Sequence, residues 1–349
     1  MPATAPTPRE AVPAVPVARE QGWWRLLAAA IAFVLLAEFP VIRALVPVHQ
    51  PLLLIVPALA ACAIVGWWRG GSALQAVLWG SFAALRLFLP LRGDVNSAVL
   101  AAGWAALLAG CFGLALLVSR SKRFLPVAGA ATASALLLAT LIVVVRPAGP
   151  EALDRVVTRT LASRGAEDQA MWQAARSRVE GQPGVALDSA SRAALDAGEA
   201  TVAALPRTAK SLLPATLALQ SLAALALAWG LWHRLSRTRV GQSLSTLRDF
   251  RFNDQLVWAV IAGLVLVLLP GADAYRGIGG NLLLFFGTLY ALRGAGVLAW
   301  FVTPRRTLVG VLVGVTLLLL LRDGAAVALG IVGIGDTWAD WRRRAARTA

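Results

Sequence analysis

The sequence has few charged residues for its length and few of the side chains that bind metals. Charged residues make up 15% of 349 positions, against about 25% in soluble globular domains. The two cysteines, Cys62 and Cys111, lie within apolar runs, and the two histidines, His49 and His233, are far apart. This spacing argues against a disulfide framework and a zinc site. We therefore expect no bound metal and no cofactor.

Catalytic motifs are also missing. The sequence contains no phosphate-binding loop, no Gly-x-Ser-x-Gly elbow and no His-Glu-x-x-His pair, and each of these motifs is needed for its particular chemistry. The glycines of residues 277–280 lack the strand and turn of a dinucleotide site. No residue is predicted to be catalytic, so we expect that the protein is not an enzyme.

Apolar residues, by contrast, make up 58% of the chain and gather in long runs. About 20 apolar residues are needed to cross roughly 30 Å of hydrocarbon. The candidate membrane spans are residues 24–46, 51–68, 72–91, 97–119, 124–146, 212–233, 255–271, 279–303, 307–321 and 325–339. The predicted fold is an all-α bundle of about ten transmembrane helices, and the last two are short spans or a re-entrant hairpin broken at residues 322–324.

These spans predict five regions. Residues 1–22, rich in Ala, Pro and Thr, are expected to be a disordered tail. Residues 23–146 and 212–341 are each expected to form a five-helix membrane half. Between them, residues 147–211 carry acidic and basic side chains in equal number, and residues 342–349 form a basic tail.

The polar segment, residues 147–211, has the spacing of amphipathic helices that lie on the membrane face or cover the bundle. Asp188 is placed to cap a second helix, which we expect to end at Pro206. The alternative is a solvated, mobile linker. Apolar residues recur at every fourth position in two series, Leu153, Val157 and Leu161, then Met171, Ala175 and Val179.

The formal charge of +15 comes almost entirely from arginine, since Lys122 and Lys210 are the only lysines. The excess of arginine fits a genomic composition bias as well as a functional need. Nucleic acid is not an expected partner, because no basic patch is interleaved with aromatic residues. The arginines cluster beside span ends, at residues 120–123, 234–251, 305–306 and 342–347.

Basic residues in short loops favour the cytoplasmic side. All these clusters are cytoplasmic if the N-terminus is inside and residues 307–339 cross twice. We therefore expect a multi-pass protein of a bacterial inner membrane with both termini in the cytoplasm and residues 147–211 outside.

The C-terminal half resembles a known family. The segments that carry the resemblance are Leu247-Arg-Asp-Phe-Arg-Phe, Gly280-Asn281, Leu292-Arg-Gly-Ala-Gly and Gly333-Ile-Gly-Asp-Thr-Trp-Ala-Asp-Trp-Arg342. Over residues 240–345 the chain resembles the YybS-like family of predicted bacterial membrane proteins, a domain of unknown function. That family looks loosely like the substrate-binding subunits of energy-coupling-factor vitamin transporters, although this chain has more predicted spans. The resemblance implies a small-molecule substrate and a coupling ATPase as partners, in addition to the lipid bilayer.

Ionisable residues within spans are costly unless they are paired or lie in a cavity. Glu38 and Arg86 each lie about 14 residues from the predicted cytoplasmic end of a span, roughly 21 Å up. Together with Asp273 and Asn281 they could form an outward-facing substrate pocket. The alternative is a structural ion pair, with Asp273 pairing only with Arg276.

Two further charged residues are predicted to be structural. Arg293 lies between Gly294 and Gly296, and small neighbours allow another helix to come close. It is therefore expected to face protein. Asp336 precedes the arginines of the tail and is expected to pair with one of them.

The leading functional hypothesis is small-molecule transport or substrate binding within the membrane. The alternative is a non-transporting scaffold that recruits envelope or cytoplasmic partners. A polar cavity at mid-membrane favours transport, whereas a solidly packed bundle favours the scaffold.

Equal depth predicts that Glu38 pairs with Arg86. Because removal of one partner leaves a buried charge, Glu38→Ala should cost about 3–5 kcal/mol of stability, measured by thermal unfolding in detergent. The double variant with Arg86→Ala should recover part of this loss. If Glu38 binds substrate or a proton instead, the double variant should fold but stay inactive in uptake. Side chains that point away from each other, with no polar cavity between them, would contradict both interpretations.

Overall fold

A computed structural model describes residues 23–36, 49–88, 95–119, 123–181, 188–271, 273–302, 324–342 and 344. These residues are almost entirely helical and include no strand. The all-α class predicted from the apolar runs is therefore confirmed over this part of the chain.

Eleven α-helices are described. They are α1 (Trp23–Leu36), α2 (His49–Trp68), α3 (Ala73–Phe88), α4 (Val95–Val118), α5 (Phe124–Val145), α6 (Gly149–Glu180), α7 (Ser189–Ser211), α8 (Leu213–Leu235), α9 (Val257–Leu268), α10 (Arg276–Val302) and α11 (Ala325–Ala339). Short 3₁₀ turns cover Leu247–Asp249, Asp254–Leu256 and Asp273–Tyr275.

Each predicted span that falls within the described residues coincides with one of these helices. Four of the helices, α4, α5, α8 and α10, are long and apolar enough to cross a membrane. Shorter apolar helices cover residues 52–68, 73–88, 254–268 and 325–339. The tail at residues 1–22, the span at 307–321 and the break at 322–323 lie outside the described residues.

Helix α2 is the centre of the N-terminal half. Nearly all its side chains from Leu53 to Val65 are buried, against α3, α4 and α8. A helix that is apolar on every side is expected in such a position. Pro57 lies inside α2, where it removes one backbone hydrogen bond. The core around α2 includes Trp23 of α1 and Trp229 of α8.

One end of the bundle is covered by residues 236–256, which we call the cap. The cap folds back onto the end of α8: the Trp229 indole donates to the carbonyl of Gln242 at 2.9 Å, and Arg239 donates to the carbonyl of His233 at 2.9 Å. The His233 ring stacks on Trp229 with centroids 4.8 Å apart. This end of the bundle, the cap end, is therefore closed by ordered chain.

At the opposite end, α6 and α7 pack against each other and form an antiparallel hairpin, which we call the hairpin. Gly198 gives room for the indole of Trp172, whose ring a Cβ at that position would overlap. Asp188 caps α7 by accepting from the backbone N–H of Ser191 at 2.8 Å. Hydrogen bonds from Ser191 lower the pKa of the Asp188 carboxyl. The predicted N-cap of a helix at Asp188 is confirmed, and α6 and α7 form a folded hairpin.

Two details of the hairpin differ from the sequence prediction. Helix α7 does not end at Pro206 but continues to Ser211, with the Pro206 ring packed on Gly165 of α6. The first apolar series of α6, which begins at Leu153, is half-buried, whereas Met171 and Val179 of the second series are 64% and 39% exposed. The covered stripe of α6 passes instead through Gly165 and Trp172. Because a helix has 3.6 residues per turn, residues repeated at every fourth position drift gradually from one face of the helix to the next.

In the C-terminal half, α10 packs against α8, α9 and α11. Helices α10 and α11 cross in opposite directions: Tyr290 lies beside Gly333, whereas Gly294, further along α10, lies beside Leu329, earlier in α11. They approach so closely that a Cβ at Gly294 would overlap the carbonyl of Leu329, and one at Gly333 would overlap that of Tyr290. Gly296 of α10 and Arg342, just beyond α11, both contact the cap.

Candidate functional site

The most distinctive polar feature is a group of four charged side chains where α10, α11 and the cap meet. We call Asp254, Arg293, Asp336 and Arg342 the ion cluster. The Asp336 carboxylate is fully buried, and its Oδ2 accepts from Arg293 Nε at 3.0 Å and from Arg342 at 2.7 Å. Arg293, whose side chain is 3% exposed, also pairs with the exposed Asp254. Two positive and two negative charges thus neutralise one another.

A reversal of the chain after α11 brings Arg342 to Asp336. Asp340 adopts a left-handed conformation with φ of 42°, which aspartate tolerates better than most residues. The Asp340 carboxylate accepts from Arg251 of the cap at 2.8 Å. The reversal is therefore fixed by an ion pair to the cap as well as by the buried Asp336.

Arg342 also ties the cap to the bundle through backbone contacts. Its Nη1 donates to the carbonyls of Arg248 at 2.9 Å and Phe250 at 3.3 Å. Nearby, Phe252 packs edge-to-face on Tyr290, and the Arg248 guanidinium lies over the Trp300 ring at 5.6 Å. One arginine thus joins α11 to a loop more than ninety positions earlier in the chain.

This geometry suits a structural role. Both guanidinium groups engage carboxylates, and the described residues show no group of His, Cys, Asp and Glu that could hold a metal ion. Asp336 Oδ1 and Arg342 Nε, both buried, have no hydrogen-bond partner among the described residues. The remaining polar atoms of the Asp336 carboxylate and the Arg342 guanidinium are hydrogen-bonded. Through these bonds the cluster holds α10, α11 and the cap together.

The predicted outward pocket is only partly within the described residues. Glu38 lies outside them, so its pairing with Arg86, which is buried on α3, stays a prediction. Asp273 pairs with Arg276 at 2.8 Å in the exposed turn before α10, as the alternative interpretation expected. Asn281 accepts from the backbone N–H of Ala215 at 2.9 Å and donates to the carbonyl of Ser211 at 2.7 Å. It therefore joins α10 to the α7–α8 junction.

Sequence reasoning paired Asp336 with an arginine of the tail but missed Asp254 and the contact with Arg293. The signal for Asp254 was weak, because an acidic residue just before a span is ordinary. For Arg293 the flanking glycines were a real signal. A Cβ at Gly294 would meet α11, and one at Gly296 would overlap the carbonyl of Leu247 in the cap.

A family model for predicted membrane proteins, DUF2232, matches residues 27–337. The chain belongs to the DUF2232 family. The match is consistent with the YybS-like resemblance seen in the C-terminal half, and it extends that resemblance over the N-terminal half. No curated protein and no solved structure matches the chain.

Within this DUF2232 chain, three of the four segments that carried the resemblance meet in one place, and Gly280-Asn281 lies apart at the α7–α8 junction. The segment at residues 247–252 supplies the cap carbonyls, residues 292–296 carry Arg293 and its glycines, and residues 333–342 carry Asp336 and Arg342. The ion cluster is therefore where the recognisable part of the sequence converges in space.

Substitution of Arg342 tests the ion cluster. Arg342→Ala should lower the free energy of unfolding by about 3–5 kcal/mol, because breaking a buried pair leaves a charge uncompensated. It should also make the cap sensitive to protease. The measurements are thermal unfolding in detergent and limited proteolysis, with the exposed Arg344 changed to Ala as a matched control. Equal behaviour of the two variants would contradict the role of Arg342.

Proposed function

We propose that this protein is a non-transporting scaffold of a bacterial inner membrane, and that it recruits a protein partner through the hairpin. Close packing of the membrane part supports this proposal. The described residues include a crevice at the cap end that is too narrow for a water molecule. A shallow apolar depression of about 280 Å³ lies around Leu264–Pro270. Neither is a polar cavity at mid-membrane.

The observation that carries the proposal is that the two helices of the hairpin are joined by ion pairs yet hardly covered by the rest of the chain. Arg176 of α6 pairs with Asp196 at 3.0 Å and Glu199 at 2.6 Å, and Lys210 of α7 pairs with Asp154 at 2.6 Å. Yet Gly165 is the only buried residue of α6, and α7 has none, among the residues described. A folded and exposed surface of this kind suits docking of a partner better than an unstructured tether would.

We further propose that the chain crosses the membrane about ten times, with the cap in the cytoplasm. Arginines 234, 237, 239, 248 and 251 lie at the cap end, whereas the hairpin has no net charge, and this asymmetry fits the positive-inside rule.

Transport is the second candidate. Arg86 and Arg293 are buried charges on apolar helices, and such residues often mark substrate or proton pathways. Arg293 is accounted for by the ion cluster, which leaves Arg86 and its predicted partner Glu38 as the support for transport. A small-molecule substrate and a coupling ATPase belong to this second candidate alone.

Orientation can be tested by cysteine accessibility. A chain with Cys62 and Cys111 changed to Ala and a single cysteine at Ser191, the exposed N-terminal turn of α7, should react with a membrane-impermeant maleimide in intact cells. A cysteine at Thr246 in the cap should react only after the cells are opened. Labelling of Ser191→Cys only from the cytoplasmic side would reverse the whole assignment.

Docking on the hairpin can be tested with a photo-crosslinking amino acid. Placed at Met171 or Val179, on the exposed face of α6, it should give discrete protein adducts in living cells. Placed at Leu137, which is 71% exposed on the apolar surface of α5, it should give lipid adducts only. Absence of protein adducts from both hairpin positions, together with substrate flux in proteoliposomes, would favour transport over the scaffold.

A further inference from the structure

Four arginines at the cap end are exposed and have no carboxylate as a partner. Arg69 follows α2 directly, Arg234 lies in the last turn of α8, and Arg237 and Arg239 are at the start of the cap. Within the part of the chain that the structure describes, none of the four forms an ion pair. We call these four residues the arginine surface.

One contact between α2 and the cap brings the members of the arginine surface together. Gly66, in the last turn of α2, lies so close to Thr238 that a Cβ built on it would be 3.4 Å from the Thr238 hydroxyl. The backbone N–H of Arg69 donates to the carbonyl of Gly66 at 3.1 Å. Arg237 and Arg239 flank Thr238 in the sequence. Arginines that are far apart in the chain therefore lie on either side of the same contact.

The positive charge of the arginine surface is not neutralised by its own part of the chain. Residues 212–248 contain no acidic residue, and residues 49–145 contain only Asp94, which lies outside the described residues. The other side of the cap end is different, because Arg251 pairs there with Asp340 and the ion cluster neutralises two more arginines. Like charges gathered in one place repel one another, so the arginine surface favours an anionic partner.

The apolar residues beside the arginine surface identify the kind of partner. Trp67 and Trp68 come directly before Arg69 and are 50% and 71% exposed, as expected of side chains at a membrane–water interface. Leu74 and Val77, in the first two turns of α3, are 56% and 63% exposed, which suits contact with acyl chains. Cations next to an interfacial band of this kind lie at the level of lipid headgroups, which long arginine side chains can reach. A soluble polyanion would leave the apolar band without a role.

We propose that the arginine surface binds the headgroups of anionic phospholipids. The guanidinium groups donate to phosphate oxygens, and the bound lipid joins the turn after α2 to the cap, two parts of the chain that carry like charges. Phosphatidylglycerol has a net negative charge, whereas phosphatidylcholine is neutral overall because its choline group is positive. The surface therefore prefers the first lipid. This binding is independent of docking on the hairpin, which lies at the opposite end of the bundle.

Lipid-dependent thermal stability of the purified full-length protein in a neutral detergent tests this surface. Dioctanoyl phosphatidylglycerol should raise the Tm more than dioctanoyl phosphatidylcholine at equal concentration, and high salt should reduce the difference. Arg69→Gln, Arg234→Gln and Arg237→Gln should each weaken binding of phosphatidylglycerol about fivefold, and the triple variant should lose the preference. Arg239 is left unchanged because it also donates to the carbonyl of His233.

A matched control removes the same charge from the opposite end of the bundle. Arg159→Gln, Arg164→Gln and Arg178→Gln together change three exposed arginines of α6 and should keep the wild-type preference. The single variants report the affinity even if a triple variant does not fold.

Three results would overturn the proposal. The first is an equal response of the wild type to the two lipids, and the second is an equal loss of preference in the two triple variants. The third is stabilisation by a soluble anion in place of lipid. A response to inorganic phosphate equal to that to phosphatidylglycerol would assign the arginine surface to a free phosphate compound, and a response to an oligonucleotide alone would assign it to nucleic acid.

Discussion

A fully buried carboxylate is the constraint on which the C-terminal half depends. Asp336 lies on an apolar helix with no exposed surface, where an uncompensated charge is strongly unfavourable. It is compensated by Arg293 from α10 and Arg342 from beyond α11. Both arginines have to reach the same oxygen, so the crossing point of the two helices and the reversal at Asp340 are determined together.

The small residues of the sequence follow from that requirement. Arg293 can reach Asp336 only if α10 and α11 nearly touch, and Gly294 and Gly333 provide that contact. Arg342 in turn holds the carbonyls of Arg248 and Phe250, which keeps the cap on the bundle. The other side of the cap rests on Trp229 and His233 of α8, so a charge on α11 is linked mechanically to the N-terminal core.

The apolar helices could be predicted from the sequence because each corresponds to a local run of apolar residues of sufficient length. The N-cap at Asp188 was local too. The ion cluster was not, because Asp254, Arg293 and Asp336 are separated by about forty residues each, and only folding brings them together. The prediction that α7 ends at Pro206 was wrong for a similar reason, because the space for the proline ring is provided by Gly165 on another helix. Pairing across helices is a property of packing and leaves little trace in composition.

The abundance of arginine has a structural use at these sites beyond any bias in composition. Arg293 donates through Nε, Nη1 and Nη2 to Asp336 Oδ2, Asp254 and the Asp336 carbonyl. Arg342 spans a carboxylate and two carbonyls. A planar fork with five donors can join acceptors on separate elements, whereas a lysine offers a single compact charge. Replacement of either residue by lysine would keep the net charge but lose most of these hydrogen bonds. The preference for arginine at these two positions therefore follows from geometry, and charge alone does not explain it.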